Sequence, residues 1–164
     1  MPRFLLILAA SVLCSSCLVK GHSQNDGTYS LQFADADVIK DTCGHLSGRP
    51  LVDPNHKDLY QGALTVIGET VRFHYALLDT QMSGYFLAAD MDSPDRFTVD
   101  GSANNATVPI NGAECLVDIA NLHLEATTIT QDEFTGVLSV RYETRLSASC
   151  SCEFLVNYRA VRQQ

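Results

Sequence analysis

The stretch Asp132–Arg162, DEFTGVLSVRYETRLSASCSCEFLVNYRAVR, decides how the rest of the chain is read. Phe134, Gly136, Leu138, Val140, Tyr142 and Thr144 fall on one side of an extended chain. Thr135, Ser139, Arg141, Glu143 and Arg145 fall on the other. After a serine- and cysteine-rich bend, Phe154, Val156, Tyr158 and Ala160 again occupy alternate positions. A period of two marks strands with one buried face. The stretch therefore reads as a β-hairpin with Cys150 and Cys152 at its bend.

The same pattern extends outward. Tyr29 and Leu31, with Phe33, begin a first strand that Val38 and Ile39 continue or bend away from. Tyr60–Ile67 and Val71–Leu78 form a hairpin around Gly68-Glu69-Thr70, which places Arg72 and His74 outward. Gly84–Met91 is apolar, Arg96–Val99 and Thr107–Ile110 read as short strands, and Asp100-Gly101 and Asn111-Gly112 as turns. Glu114–Thr130 is rich in β-branched residues and changes phase: Val117 and Ile119 share one parity, Leu122, Leu124 and Ala126 the other. A β-bulge produces such a switch; a helix over Cys115–Ala126 is the alternative. Helical periodicity is weak elsewhere. The expected fold is all-β: an antiparallel meander of about eight or nine strands closing into a small barrel or a sandwich, of lipocalin or streptavidin size.

Composition sets outer limits. The chain has 164 residues, 46% hydrophobic and 18% charged, enough for a core that stands without metals or disulfides. The formal charge is −8, and Arg141, Arg145, Arg159 and Arg162 are interleaved with apolar residues instead of clustering. An acidic chain without a basic patch is repelled by phosphate backbones, so nucleic acid is excluded as a partner.

The N-terminus reads MPRFLLILAASVLCSSC, with Arg3 ahead of about ten apolar residues and small residues after them. This is the shape of an export signal, and the apolar run is shorter than the roughly 20 residues that span a bilayer. Leu13-Cys14-Ser15-Ser16-Cys17 resembles the lipobox of bacterial lipoproteins, although Cys14 stands where leucine is usual. The resemblance implies removal of residues 1–16 and acylation of Cys17, which becomes the first residue. It implies a tether over residues 17–27, a globular domain over 28–164, and a membrane partner reached through the lipid. Leu18, not aspartate, follows Cys17, which leans toward the outer membrane. A secreted protein without the anchor is the alternative. His22 is expected to be a solvated residue of the tether.

Four cysteines remain: Cys43, Cys115, Cys150 and Cys152. In an exported protein an even number reads as two disulfides. A meander brings Cys115 and the Cys150/Cys152 pair to one end of the sheet, and barrel closure through the first and last strands adds Cys43. Cys43 and Cys115 are therefore each expected to bond one member of the pair, with about 3–4 kcal/mol from each bridge. Zinc held by Cys43, His45, Cys150 and Cys152 is the alternative, at a spacing unusual for structural zinc.

No catalytic motif stands out. His22, His45, His56, His74 and His123 are scattered, and Asp90–Asp95 reads as a turn rather than a calcium loop. Asn105-Ala106-Thr107 has the form of a glycosylation sequon. Phe73, Tyr75, Tyr85, Phe86, Tyr142 and Tyr158 either fill the interior or line a pocket. The expectation is a non-enzymatic, cofactor-free envelope lipoprotein that binds an envelope protein or a small apolar ligand.

Overall fold

The computed structural model describes residues 21–32, 38–45, 62–75, 78–87 and 94–164. The signal segment, Cys17, the expected loop over Ser47–Lys57, His56 and most of the Asp90–Asp95 cluster lie outside the described residues.

Among the described residues nine strands follow in chain order: β1 (Gly27–Gln32), β2 (Val38–Asp41), β3 (Gly62–Ile67), β4 (Thr70–Tyr75), β5 (Thr80–Phe86), β6 (Arg96–Ile110), β7 (Ala113–Thr130), β8 (Glu133–Glu143) and β9 (Cys152–Arg162). All neighbours are antiparallel. Strand β1 pairs β3 on one side and β9 on the other, so eight strands close into an up-and-down barrel. Closure removes the open sheet edges that invite aggregation. Strand β2 also pairs β9, alongside Phe154–Val156, while β1 pairs Arg159–Arg162. The two segments thus occupy one strand position in sequence.

The opening hairpin has the expected faces. Phe134, Leu138, Val140 and Tyr142 of β8 and Phe154, Val156, Tyr158 and Ala160 of β9 are all buried. A short 3-10 turn, Ala148–Cys150, forms the bend.

Two expectations change. Asp100-Gly101 is not a turn: β6 passes straight through it, pairing Asp100 with His123 and Gly101 with Leu122. Glycine is needed there for space, because a Cβ would collide with the side chain of Met82. The two short strands expected on either side are one strand of 15 residues. Likewise, β7 is a strand of 18 residues and not a helix, but its phase switch is not a bulge of one strand. Buried positions pass from Cys115 and Val117 to Ala120, Leu122 and Leu124, leaving Ile119 exposed. On β6 they pass from Phe97 and Val99 to Val108 and Ile110. The register is the same on both sides, with Asn104 opposite Ile119 and Ala106 opposite Val117. Both strands therefore kink together, where Asn105 takes a left-handed φ of 53°. Beyond the kink, residues 106–117 form a two-stranded ribbon past the last β7–β8 pair, closed by the Asn111-Gly112 turn.

The barrel's two ends are dressed differently. The ribbon and the Cys43 loop meet at one end, where the Asn111 N–H donates to the Cys43 carbonyl at 2.7 Å. At the other end the chain's own beginning is strapped across the barrel. His22 and Gln24 are buried, so His22 is not the solvated tether residue expected. Its Nε2 bonds the Gly68 carbonyl at 2.7 Å, and its Nδ1 accepts from the Gln24 N–H. Gln24 in turn donates to the Tyr29 hydroxyl and the Gln131 carbonyl. Beneath the strap, Phe134 contacts the rings of Tyr29, Phe97 and Tyr158 at centroid distances of 4.9, 5.1 and 6.2 Å. Aromatic packing of this kind is what gives a small barrel a solid interior.

Candidate functional site

The chemically richest end is the one that carries the cysteines. The antiparallel meander delivers the end of β2, the end of β8, the start of β9 and the ribbon to the same place. Cys43 bonds Cys152 and Cys115 bonds Cys150, with Cα–Cα distances of 5.1 and 5.6 Å. Each early cysteine thus takes one member of the pair. The thiolates that the zinc alternative required are consumed, and no metal-holding cluster occurs among the described residues.

The connection from β2 into Cys43 is tightly bonded. Asp41 Oδ1 accepts from the backbone N–H of Cys43 at 3.0 Å and of His45 at 3.3 Å. The Thr42 hydroxyl accepts from the Glu153 N–H and donates to its carbonyl, at 2.8 and 3.1 Å. Short polar side chains commonly fix turns in this way.

Outside the disulfides, β2, β9 and β8 lie side by side and form a groove of about 520 Å³. Lys40 and Thr42 line it from β2 and the residue after it, Ser151 and Glu153 from around the start of β9, and Arg141 and Glu143 from the end of β8. Lys40 Nζ lies 2.6 Å from Glu153, and Arg141 Nε 3.1 Å from Glu143. The Lys40 hydrogen bond holds the Glu153 carboxyl below its usual range. All four charges reach solvent, so these pairs contribute little to stability. They are instead available to an incoming polar group, as two cations and two carboxylates within one concavity. Ser151 is not set up as a nucleophile. Its hydroxyl accepts from the Thr144 N–H and donates to the Thr144 carbonyl, so both of its hydrogen bonds are to the same backbone residue.

Inside the same end, His45 packs edge-on to Tyr142 and Phe154, at 5.6 and 5.8 Å between centroids. Its Nε2 is buried without a hydrogen-bond partner among the described residues. Burial lowers its pKa, and the nearby Asp41 carboxylate opposes that shift. The Tyr142 hydroxyl is buried beside Tyr75, and its pKa is pushed up to about 12 by burial, against a smaller lowering by Tyr75.

No protein-family model matches the chain, and no curated protein or solved structure matches it significantly. The site must be read from its own chemistry.

The remaining sequence candidates separate. His74 faces outward and bonds Asp79 at 2.8 Å. His123, on the outer face of β7, is held between Asp100 and Glu125, one carboxylate on each ring nitrogen. Partial burial pulls its pKa down, but the two carboxylates outweigh this and raise it. Asp95 accepts from the Ser23 N–H and hydroxyl, both at 2.6 Å, so it ties down the strap. The sequence treated Arg141 and Glu143 as ordinary strand faces, and Lys40 carried no signal at all. What joins them is a shared neighbour: β2 and β8 flank β9 from opposite sides.

Proposed function

We propose that this chain is a lipid-anchored protein of the bacterial envelope, and that its barrel works by binding and not by catalysis. The observation that carries the reading is the contrast between inside and outside. Contacting aromatic rings occupy the interior, and the strap and the disulfide-tied ribbon lie across the two ends. The groove formed by Lys40, Arg141, Glu143 and Glu153 lies on the surface. Binding is therefore assigned to that surface. Balanced charges suit a polar or zwitterionic group, such as a protein segment carrying both charges, better than a small apolar ligand, the alternative raised by the sequence. The anchor is assigned to Cys17, from the resemblance of residues 13–17 to a lipobox.

Mass spectrometry of the mature N-terminus tests the anchor. Acylated Cys17 as the first residue supports it, and an unmodified terminus at another position overturns it. Cys17→Ser should move the protein from the membrane to the soluble fraction. Native mass spectrometry of protein purified from cells tests the groove: a co-purifying species that Arg141→Ala abolishes supports it, and retention of that species by the variant counts against it.

A further inference from the structure

We infer that the strapped end of the barrel rests on the surface of a phospholipid bilayer with zwitterionic headgroups, and that the disulfide end with its groove points away from the membrane. The inference rests on the anchor at Cys17 proposed above and adds the orientation of the domain.

The strap provides the geometric constraint. From Gly21 onward the chain is bonded to this end. The Gly21 N–H donates to Glu69 at 2.8 Å, His22 is bonded to Gly68, Ser23 to Asp95, and the Asn25 N–H to the Gln131 carbonyl. Only residues 18–20 stand between Gly21 and Cys17. Four Cα steps span at most about 14 Å even when fully extended. A lipid on Cys17 therefore keeps the strapped end close to the bilayer, while the groove lies at the far end of strands such as β8 and β9, each of 11 residues.

The surface at this end suits that position. Ile67 at the end of β3, Tyr85 and Leu87 at the end of β5, and Ile129 near the end of β7 all expose their side chains around its rim. Tyrosine and aliphatic residues favour the boundary between headgroups and acyl chains. Exposure alone does not select this end, since Leu116, Ile119 and Leu146 are exposed at the other; the point of attachment does. The charge selects the lipid. Asp26, Glu69, Asp95 and Asp132 outnumber Arg96 and Arg162 here among the described residues, and Arg162 is paired with Asp132. Anionic headgroups are repelled by such a rim, whereas zwitterionic ones are not.

The chain contains no tryptophan, so one can be introduced as a unique reporter. Tyr85→Trp and Leu146→Trp replace residues that are 68% and 72% exposed at opposite ends, so neither substitution disturbs the core. Each full-length variant, purified from the membrane fraction of an expressing bacterium, is bound to phosphatidylcholine vesicles with or without brominated acyl chains. The Tyr85→Trp protein should lose most of its tryptophan emission in the brominated vesicles, and the Leu146→Trp protein should keep its emission. Quenching of both, of neither, or of Leu146→Trp alone overturns the orientation while leaving the anchor intact. Failure of the protein to fractionate with membranes or float with vesicles overturns the anchor, and the orientation with it.

Discussion

The imidazole of His22 lies flat on the ring of Phe86, with 3.5 Å between centroids and 7° between planes. Phe86 in turn meets Phe97, and Phe97 meets Phe134. A residue ahead of the first strand is thus the outermost ring of the core. Its hydrogen bonds fix its tautomer. Nδ1 accepts from the Gln24 N–H, so the proton sits on Nε2 and is donated to the Gly68 carbonyl. His22→Ala removes the stacked ring and leaves the half-buried Gly68 carbonyl without its donor. The expected loss is roughly 2–3 kcal/mol in denaturant unfolding. His22→Phe should recover the stacking but not the hydrogen bonds, and should fall between the two. A wild-type stability for His22→Ala would mean that the strap is not part of the folded unit.

The two disulfides should separate into a global and a local role. Cys43–Cys152 spans 109 residues and ties the loop after β2 to the start of β9, so in the chain-entropy model it contributes about 4–5 kcal/mol. Cys115–Cys150 spans 35 residues, corresponding to about 4 kcal/mol, and holds the ribbon that runs past the last β7–β8 pair. Replacing Cys43 and Cys152 together by serine should give the larger fall in melting temperature. Replacing Cys115 and Cys150 should give the smaller fall, with faster amide hydrogen exchange concentrated in residues 106–117. Uniformly faster exchange across the barrel in that second variant would contradict the local role.

The barrel was legible where side chains alternate without competing demands. In β8 and β9 the inward residues are large and apolar and the outward ones polar, so the period of two appears directly. It was illegible where a residue type serves space instead of conformation. Gly101 reads as a turn beside Asp100, yet it is there because Met82 fills the place of its side chain. His22 sits between polar residues and a glycine, and its burial depends on Gly68, 46 positions away. The groove was hidden for the same reason. Lys40 and Arg141 belong to β2 and β8, and only their common pairing with β9 brings them together. Chain order predicts the neighbours of a meander and its closure through the first and last strands; it does not report that β2 takes a place on the edge of β9 as well.

Gly136 gives a test of packing in the best-read part of the chain. It pairs with Ala126 on one side and Tyr158 on the other. A Cβ there would fall inside the Glu125 carbonyl and 2.9 Å from the Tyr158 hydroxyl. That hydroxyl donates to the same carbonyl at 2.8 Å, crossing the space above the glycine. Gly136→Ala should therefore cost more than about 3 kcal/mol, since backbone and ring both have to move. Tyr158→Phe should cost only about 1 kcal/mol, the hydrogen bond alone. The double variant should be less unstable than the sum, because the two changes share the broken bond. Strict additivity would show that the clash is relieved elsewhere.

The buried tyrosines set the alkaline limit of the fold. Tyr142 holds its proton to about 12 through burial, although the neighbouring Tyr75 hydroxyl lowers the value somewhat. Burial also raises Tyr158 well above the ordinary phenol value of 10.0. In the unfolded chain both phenols ionise near that ordinary value. Between the two values the unfolded state has released protons that the folded state retains, so stability falls as pH rises above about 10. Below that pH both states are protonated and these groups add no slope. Each such tyrosine contributes up to about 1.4 kcal/mol per pH unit within its window. Urea unfolding at about pH 9 and about pH 11 should show a marked loss of stability. Tyr142→Phe removes one contributor and should flatten the dependence by about that amount. An unaltered slope in the variant would mean that the Tyr142 hydroxyl already reaches solvent in the native barrel.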